Sequence, residues 1–205
     1  MKKTYLHPFP LRAWHWANAL IVILLLITGI ALRMTGIPDL PLHSRALFIH
    51  RYAGWAMVAS CLVWLVSSLA SGHLRRYYTP KRGDIKGIVS QMKFYVWSIF
   101  KQQENPFQST AAEKFNPLQK LAYGAIMFVF TPLLVLTGLL FSDIAFIRDH
   151  ILLWNIVKPI EAAHVVGAYL FALYLVVHVY MATLGRTGFS HIKAMILGYE
   201  EEPDA

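Results

Sequence analysis

The chain has 205 residues, is 57% apolar and 14% aromatic, and carries a net charge of +8 with a mean hydropathy of +0.47. A water-soluble domain would have to expose much of that apolar surface, and the single cysteine, Cys61, excludes an intramolecular disulfide, a C-x-x-C-H haem attachment and a cysteine-ligated iron–sulfur cluster. The positive charge is unevenly placed: the N-terminus, residues 71–120 and the C-terminal tail hold fourteen of the nineteen Lys and Arg, which reads as topology with those segments cytoplasmic and not as a nucleic-acid surface.

Pro8 and Pro10 suit an extended entry, and Trp14 and Trp16 suit a membrane interface. Four apolar runs follow, at about 15–34, 46–70, 118–141 and 159–184, each long enough to cross a bilayer at about 1.5 Å per residue. The first is too long for a signal h-region and lacks a small-residue cleavage site. The outer turn TGIPDLPLHS, with two prolines, cannot continue the first helix. Cys61, inside the second run, reads as a small buried apolar residue.

Residues 71–117 form the long polar connection. Within it Ile85, Ile88, Val89, Met92, Val96 and Ile99 follow helical spacing with Lys86, Lys93 and Lys101 between them. This pattern predicts an amphipathic helix on the inner membrane surface. Pro132 predicts a kink in the third helix. Residues 142–158 predict a short outer interfacial helix, and GYEEEPDA a disordered tail. LLLITGIAL (24–32) echoes LLVLTGLLF (133–141); Thr-Gly pairs of this kind allow close packing between membrane helices. The expected architecture is all-α and integral to the membrane. It is one domain, 1–205, a four-helix transmembrane bundle with a cytoplasmic amphipathic helix between the second and third helices.

Ionisable side chains in hydrocarbon are costly and mark function. The fourth run, EAAHVVGAYLFALYLVVHVY, carries His164 and His178. Fourteen residues fall about 40° short of four full turns and rise about 21 Å, so both imidazoles leave one face, one near each membrane surface. With the termini inside, His15 matches the depth of His178, and His50 that of His164. Four histidines in two depth-matched pairs suit two stacked haems, each with two axial imidazoles and no open position, a site for electron transfer. Two unrelated histidines bonded to carbonyls are the plainer alternative.

Gly54 and Gly167, a turn or less from His50 and His164, would give a porphyrin flat room, as would Gly29 and Gly138; ordinary helix packing explains glycines equally well. Arg12 and Arg51 would pair with haem propionates or anchor the helices at the interface. The remaining histidines, His7, His43, His73, His150 and His191, fall in loops or borders, with His43 the nearest to the outer site. Zinc fits the histidines poorly, because a structural ion wants four close ligands.

Arg12-x-x-His15-Trp16, His50 opening the second helix, His164-x13-His178 and the segment KFNPLQK (114–120) together resemble a known family. It is that of the dihaem cytochrome b (gamma) subunits of respiratory formate dehydrogenase, thiosulfate reductase and nickel–iron hydrogenase. The resemblance implies two haem b groups and a quinone, menaquinone or ubiquinone, contacted by Asn116 and Gln119 beside the inner haem. Asn116-Pro117 also reads as a plain helix N-cap with proline at N1, and Leu118 stands where the formate branch tends to have glycine. The family further implies an iron–sulfur subunit and a catalytic subunit with molybdenum, tungsten or nickel–iron on the outer face. The substrate site would lie on that other subunit, with formate dehydrogenase the leading branch. The expected location is the bacterial inner membrane with both termini cytoplasmic. The rival readings are a stand-alone dihaem quinol oxidoreductase and a non-redox transporter or scaffold.

Overall fold

A computed structural model describes residues 2–35, 41–72, 74, 78, 83–107, 115–142, 154–184 and 189–202. The chain runs β1 (Lys2–Tyr5), α1 (Phe9–Thr35), α2 (Pro41–Ala70) and α3 (Asp84–Val96), then a 3-10 turn at Ser98–Lys101. It continues as α4 (Pro117–Ser142), α5 (Trp154–Thr183), α6 (Ser190–Leu197) and β2 (Tyr199–Glu202). Four of these, α1, α2, α4 and α5, are long and apolar enough to cross a membrane. The outer turn at 36–40 and residues 143–153 of the expected interfacial helix lie outside the described residues; residues 154–158 belong to α5.

The four spans are built for lipid. Leu20, Ile27, Leu62, Val66, Leu173 and Val176 stand exposed, while Thr28, Ala46, Ala53, Ser68, Thr131 and Thr137 are buried. Lipid tails are as apolar as leucine, so membrane helices gain from small residues and hydroxyls at their contacts. One such contact joins α1 to α2: Trp14 Nε1 donates to the Ser60 carbonyl at 3.2 Å, and Ser60 Oγ donates to Asn18 Oδ1 at 3.0 Å.

Helix boundaries follow the prolines. α2 starts at Pro41, earlier than the apolar run alone predicts, because proline is pre-organised for the first helical position. In α4 the turn Ile126–Phe130 widens to π geometry immediately before Thr131 and Pro132. Proline lacks an N–H and its ring crowds the carbonyl four residues back; the wider turn accommodates both, which is the form the expected kink takes.

Residues 198–202 of the tail are ordered, contrary to expectation, while 203–205 lie outside the described residues. β2 pairs antiparallel with β1, from Lys2↔Glu202 to Tyr5↔Tyr199. Composition alone missed this, because the pairing partner lies at the other end of the sequence. Gly198 adopts φ 94°, and its carbonyl accepts from the amides of Leu6 and His7 at 2.9 and 3.2 Å. Side chains of α1 hold the last turn of α6: Arg12 Nη1 donates to the Ile196 carbonyl and Trp16 Nε1 to that of Met195. Both described ends of the chain therefore meet at one end of the bundle, called the inner end below.

The amphipathic helix exists as α3, with Ile85, Val89, Met92 and Val96 exposed along one stripe. Its opposite face packs on α4 through a polar knot. Gln91, 2% exposed, donates to Asn105 Oδ1 at 3.0 Å, and Asn116 Nδ2 donates to the Tyr95 hydroxyl at 3.3 Å. Gly87 makes the approach possible, since an added Cβ would stand 2.6 Å from Pro117 Cγ. Gly87→Val should part α3 from α4 and lower stability by about 1–3 kcal/mol, as overpacking does. Thermal unfolding in detergent checks this, with Gly124→Ala, whose Cβ meets nothing within 4 Å, as the unaffected control.

Candidate functional site

The four span histidines meet in the two expected pairs. His50 of α2 faces His164 of α5 with ring centroids 6.3 Å apart and planes at 72°. His15 of α1 faces His178 of α5 at 6.2 Å and 56°. The second pair lies at the inner end and the first at the outer end.

A metal–imidazole bond is about 2 Å. Two such bonds plus the radii of two rings come to about 6 Å, so each gap matches one metal ion between two imidazoles. Among the described residues no group of three or more His, Cys, Asp or Glu could hold a metal ion. Two imidazoles fit a metal whose other ligands come from its own cofactor, which is the donor set of a porphyrin iron.

The outer pair is held by a repeated device. Thr28 Oγ1 lies 2.9 Å from His50 Nδ1, and Thr137 Oγ1 lies 2.8 Å from His164 Nδ1. Each hydroxyl also lies 2.6 Å from the carbonyl four residues back, of Leu24 and Leu133, and spends its proton there. The oxygen is then the acceptor and the ring nitrogen the donor, which puts the proton on Nδ1 and leaves Nε2 bare as a ligand. Gly29 and Gly138, next in sequence, admit the ring edge: an added Cβ would stand 3.4 Å from Cε1 of His50 and of His164. The Thr-Gly echo between 24–32 and 133–141 is thus one cradle built twice, a use that sequence reading had assigned to helix packing.

The inner pair sits among aromatic rings. Tyr174 stacks on His178 at 5.7 Å and 23°, and Tyr123 meets the same ring edge-on at 6.2 Å. Phe115 touches Tyr123 at 5.0 Å, and so connects the N-terminus of α4 to the inner histidines. Neither tyrosine is distinguishable in sequence from lipid-facing aromatics.

The other sequence candidates divide. Gly54 borders open space, since an added Cβ meets nothing within 4 Å. Gly167 serves helix packing, with Leu134 Cδ2 3.3 Å from its would-be Cβ. Arg12 lies one turn from His15, and its Nε is buried without a hydrogen-bond partner, an orphan that an anionic group would satisfy. Arg51 is exposed beside His50. Asn116, 2% exposed, and Gln119 form a reciprocal capping box: Gln119 N donates to Asn116 Oδ1 at 2.8 Å, and Asn116 N to Gln119 Oε1 at 3.0 Å. The N-cap reading is therefore realised, and Asn116 Nδ2 is left to face Tyr95. Burial pushes the Tyr95 phenol above its usual pKa, with its hydrogen bonds to Asn105 and Asn116 acting the other way.

Comparison with known proteins gives the family. A model of the prokaryotic cytochrome b561 family matches residues 6–198. A protein of Escherichia coli (strain K12) named "Putative cytochrome YdhU" is 29% identical over 201 residues, 97% of this chain and 75% of that protein. One from Cupriavidus necator (strain H16) named "Probable Ni/Fe-hydrogenase B-type cytochrome subunit" is 23% identical over 233 residues, 100% of this chain and 89% of that protein. With four membrane-spanning helices and this match across nearly its whole length, the chain belongs to the prokaryotic cytochrome b561 family, as an integral membrane b-type cytochrome of electron transfer.

Proposed function

We propose that this chain is the membrane-anchoring electron-transfer subunit of a redox complex and holds two b haems. One would sit between His50 and His164 and the other between His15 and His178. The observation that carries this is the pair of His–His gaps, 6.3 and 6.2 Å, each wide enough for one ligated iron. Haem at such a site supplies reversible one-electron chemistry. The protein's part is to hold two imidazoles on each iron, to keep other ligands out, and to neutralise propionates. The orphaned Nε of Arg12 suits that last task at the inner end, and Arg51 at the outer end.

The two sites stand about 21 Å apart along α5 and so connect the two membrane faces. The outer face is the docking side for an iron–sulfur subunit and a catalytic redox subunit; the Cupriavidus necator relative, a hydrogenase cytochrome subunit by name, supports such a partner. A formate-oxidising partner has only the KFNPLQK resemblance behind it. At the inner end a quinone would take a hydrogen bond from the amide of Asn116 or Gln119, with Phe115 and Tyr123 bridging to His178. The distribution of basic residues supports a cytoplasmic inner end, with the bacterial inner membrane the expected location.

A reduced-minus-oxidised spectrum of the purified chain, with haem quantified, should give about two low-spin b haems per chain; a folded sample without haem would end this reading. His178→Ala should lose the inner haem and keep most of the outer one, whereas equal loss of both would contradict separate pairs. Asn116→Ser keeps an N-cap acceptor but removes the amide donor. It should slow quinone reaction while both haem bands persist, and an unchanged rate would restrict Asn116 to capping. A reporter fused after Ala205 should read cytoplasmic, and a periplasmic signal would invert the assignment of the two faces.

A further inference from the structure

The two histidine pairs are not equivalent. At the outer pair both Nδ1–H groups donate to threonine oxygens, at 2.9 and 2.8 Å. At the inner pair, among the described residues, neither His15 nor His178 makes a hydrogen bond; His178 is instead faced by the rings of Tyr174 and Tyr123. Resting on the two-haem reading above, the geometry points to Thr28 and Thr137 as positioning residues that set the outer haem at a lower reduction potential than the inner one.

The argument is electrostatic. An imidazole that donates its Nδ1–H becomes a more basic ligand through Nε2, and a more basic ligand favours the oxidised, more positive iron. Second-sphere hydrogen bonds of this kind are among the protein's main means of adjusting a haem potential. The effect operates here in a water-poor site, where polar interactions are stronger than in water. Each threonine is itself held, because its proton goes to Leu24 or Leu133 and its oxygen has little freedom to turn away. The acceptors act at the outer pair and, among the described residues, none acts at the inner pair, so the bias runs in one direction: an electron is held less tightly at the outer end and more tightly at the inner end. The gradient favours traffic from an outer-face donor toward the end where Asn116 lies.

The test is an anaerobic spectroelectrochemical titration of the full chain with both haems bound. Thr28→Val and Thr137→Val keep shape and remove the hydroxyl oxygen, leaving only the Leu25 and Leu134 carbonyls as acceptors near the rings; each should raise the lower-potential wave and leave the upper one in place, with the double variant shifting further. Thr→Ser at either position should restore the wild-type value. Two retained haems with no shift, or an equal shift of both waves, would overturn the inference. A second measurement stands whether or not the valine variants keep their haem. His178→Ala, which removes an inner ligand, should leave a single wave at the lower of the two wild-type potentials; a residual wave at the upper potential would refute it. Wild-type protein lacking two haems would instead count against the proposed function.

Discussion

Hydrocarbon offers an imidazole no water, so each ring nitrogen that sits in a span needs a partner from the protein or its cofactor. At the outer pair one nitrogen of each ring is answered by a threonine whose own proton is committed to its helix, and the two ring centroids stand 6.3 Å apart, a gap of metal-ligand width. Much of the bundle is arranged around that requirement. α1 and α4 carry the cradles, α2 and α5 carry the rings, and a glycine beside each threonine lets the helices come close enough for the bond to form. The two helix pairs meet the same demand with the same two residues.

The inner end meets it differently. His15 and His178 are surrounded by aromatic rings, and nearby polar groups belong to the junction of α3 with α4. There Gln91, Tyr95, Asn105, Asn116 and Gln119 tie a surface helix to the start of a span, while the apolar stripe of α3 faces away from the bundle. A helix that buries its glutamine and exposes its isoleucine is packed for a lipid surface. The clasped chain ends lie at this same end of the bundle.

Most of this architecture was legible from residue spacing. The spans follow from apolar length, and the His pairing follows from the fourteen-residue interval on one helix combined with an even number of crossings. Asn116-Pro117 announced its cap. What the sequence hid has a common physical origin: it depended on side-chain direction across helices. Thr28-Gly29 and Thr137-Gly138 look like small-residue contacts until the hydroxyl is seen to face an imidazole. Tyr123 and Tyr174 look like any aromatic in an apolar run. The strand formed by Tyr199–Glu202 depends on a partner nearly two hundred residues away, beyond the reach of any local pattern.

Each histidine pair has one member on α5, the fourth of the described spans. During synthesis His15 and His50 enter the membrane long before His178 and His164 exist, so neither histidine pair is complete until α5 has been made. An incomplete bundle can hold the Thr28–His50 bond, which forms between the first two spans alone, but neither His15 nor His50 yet faces a second imidazole. Completion of both pairs is therefore a late event in the life of the chain, and α5 acts as the keystone that gives each earlier imidazole its partner.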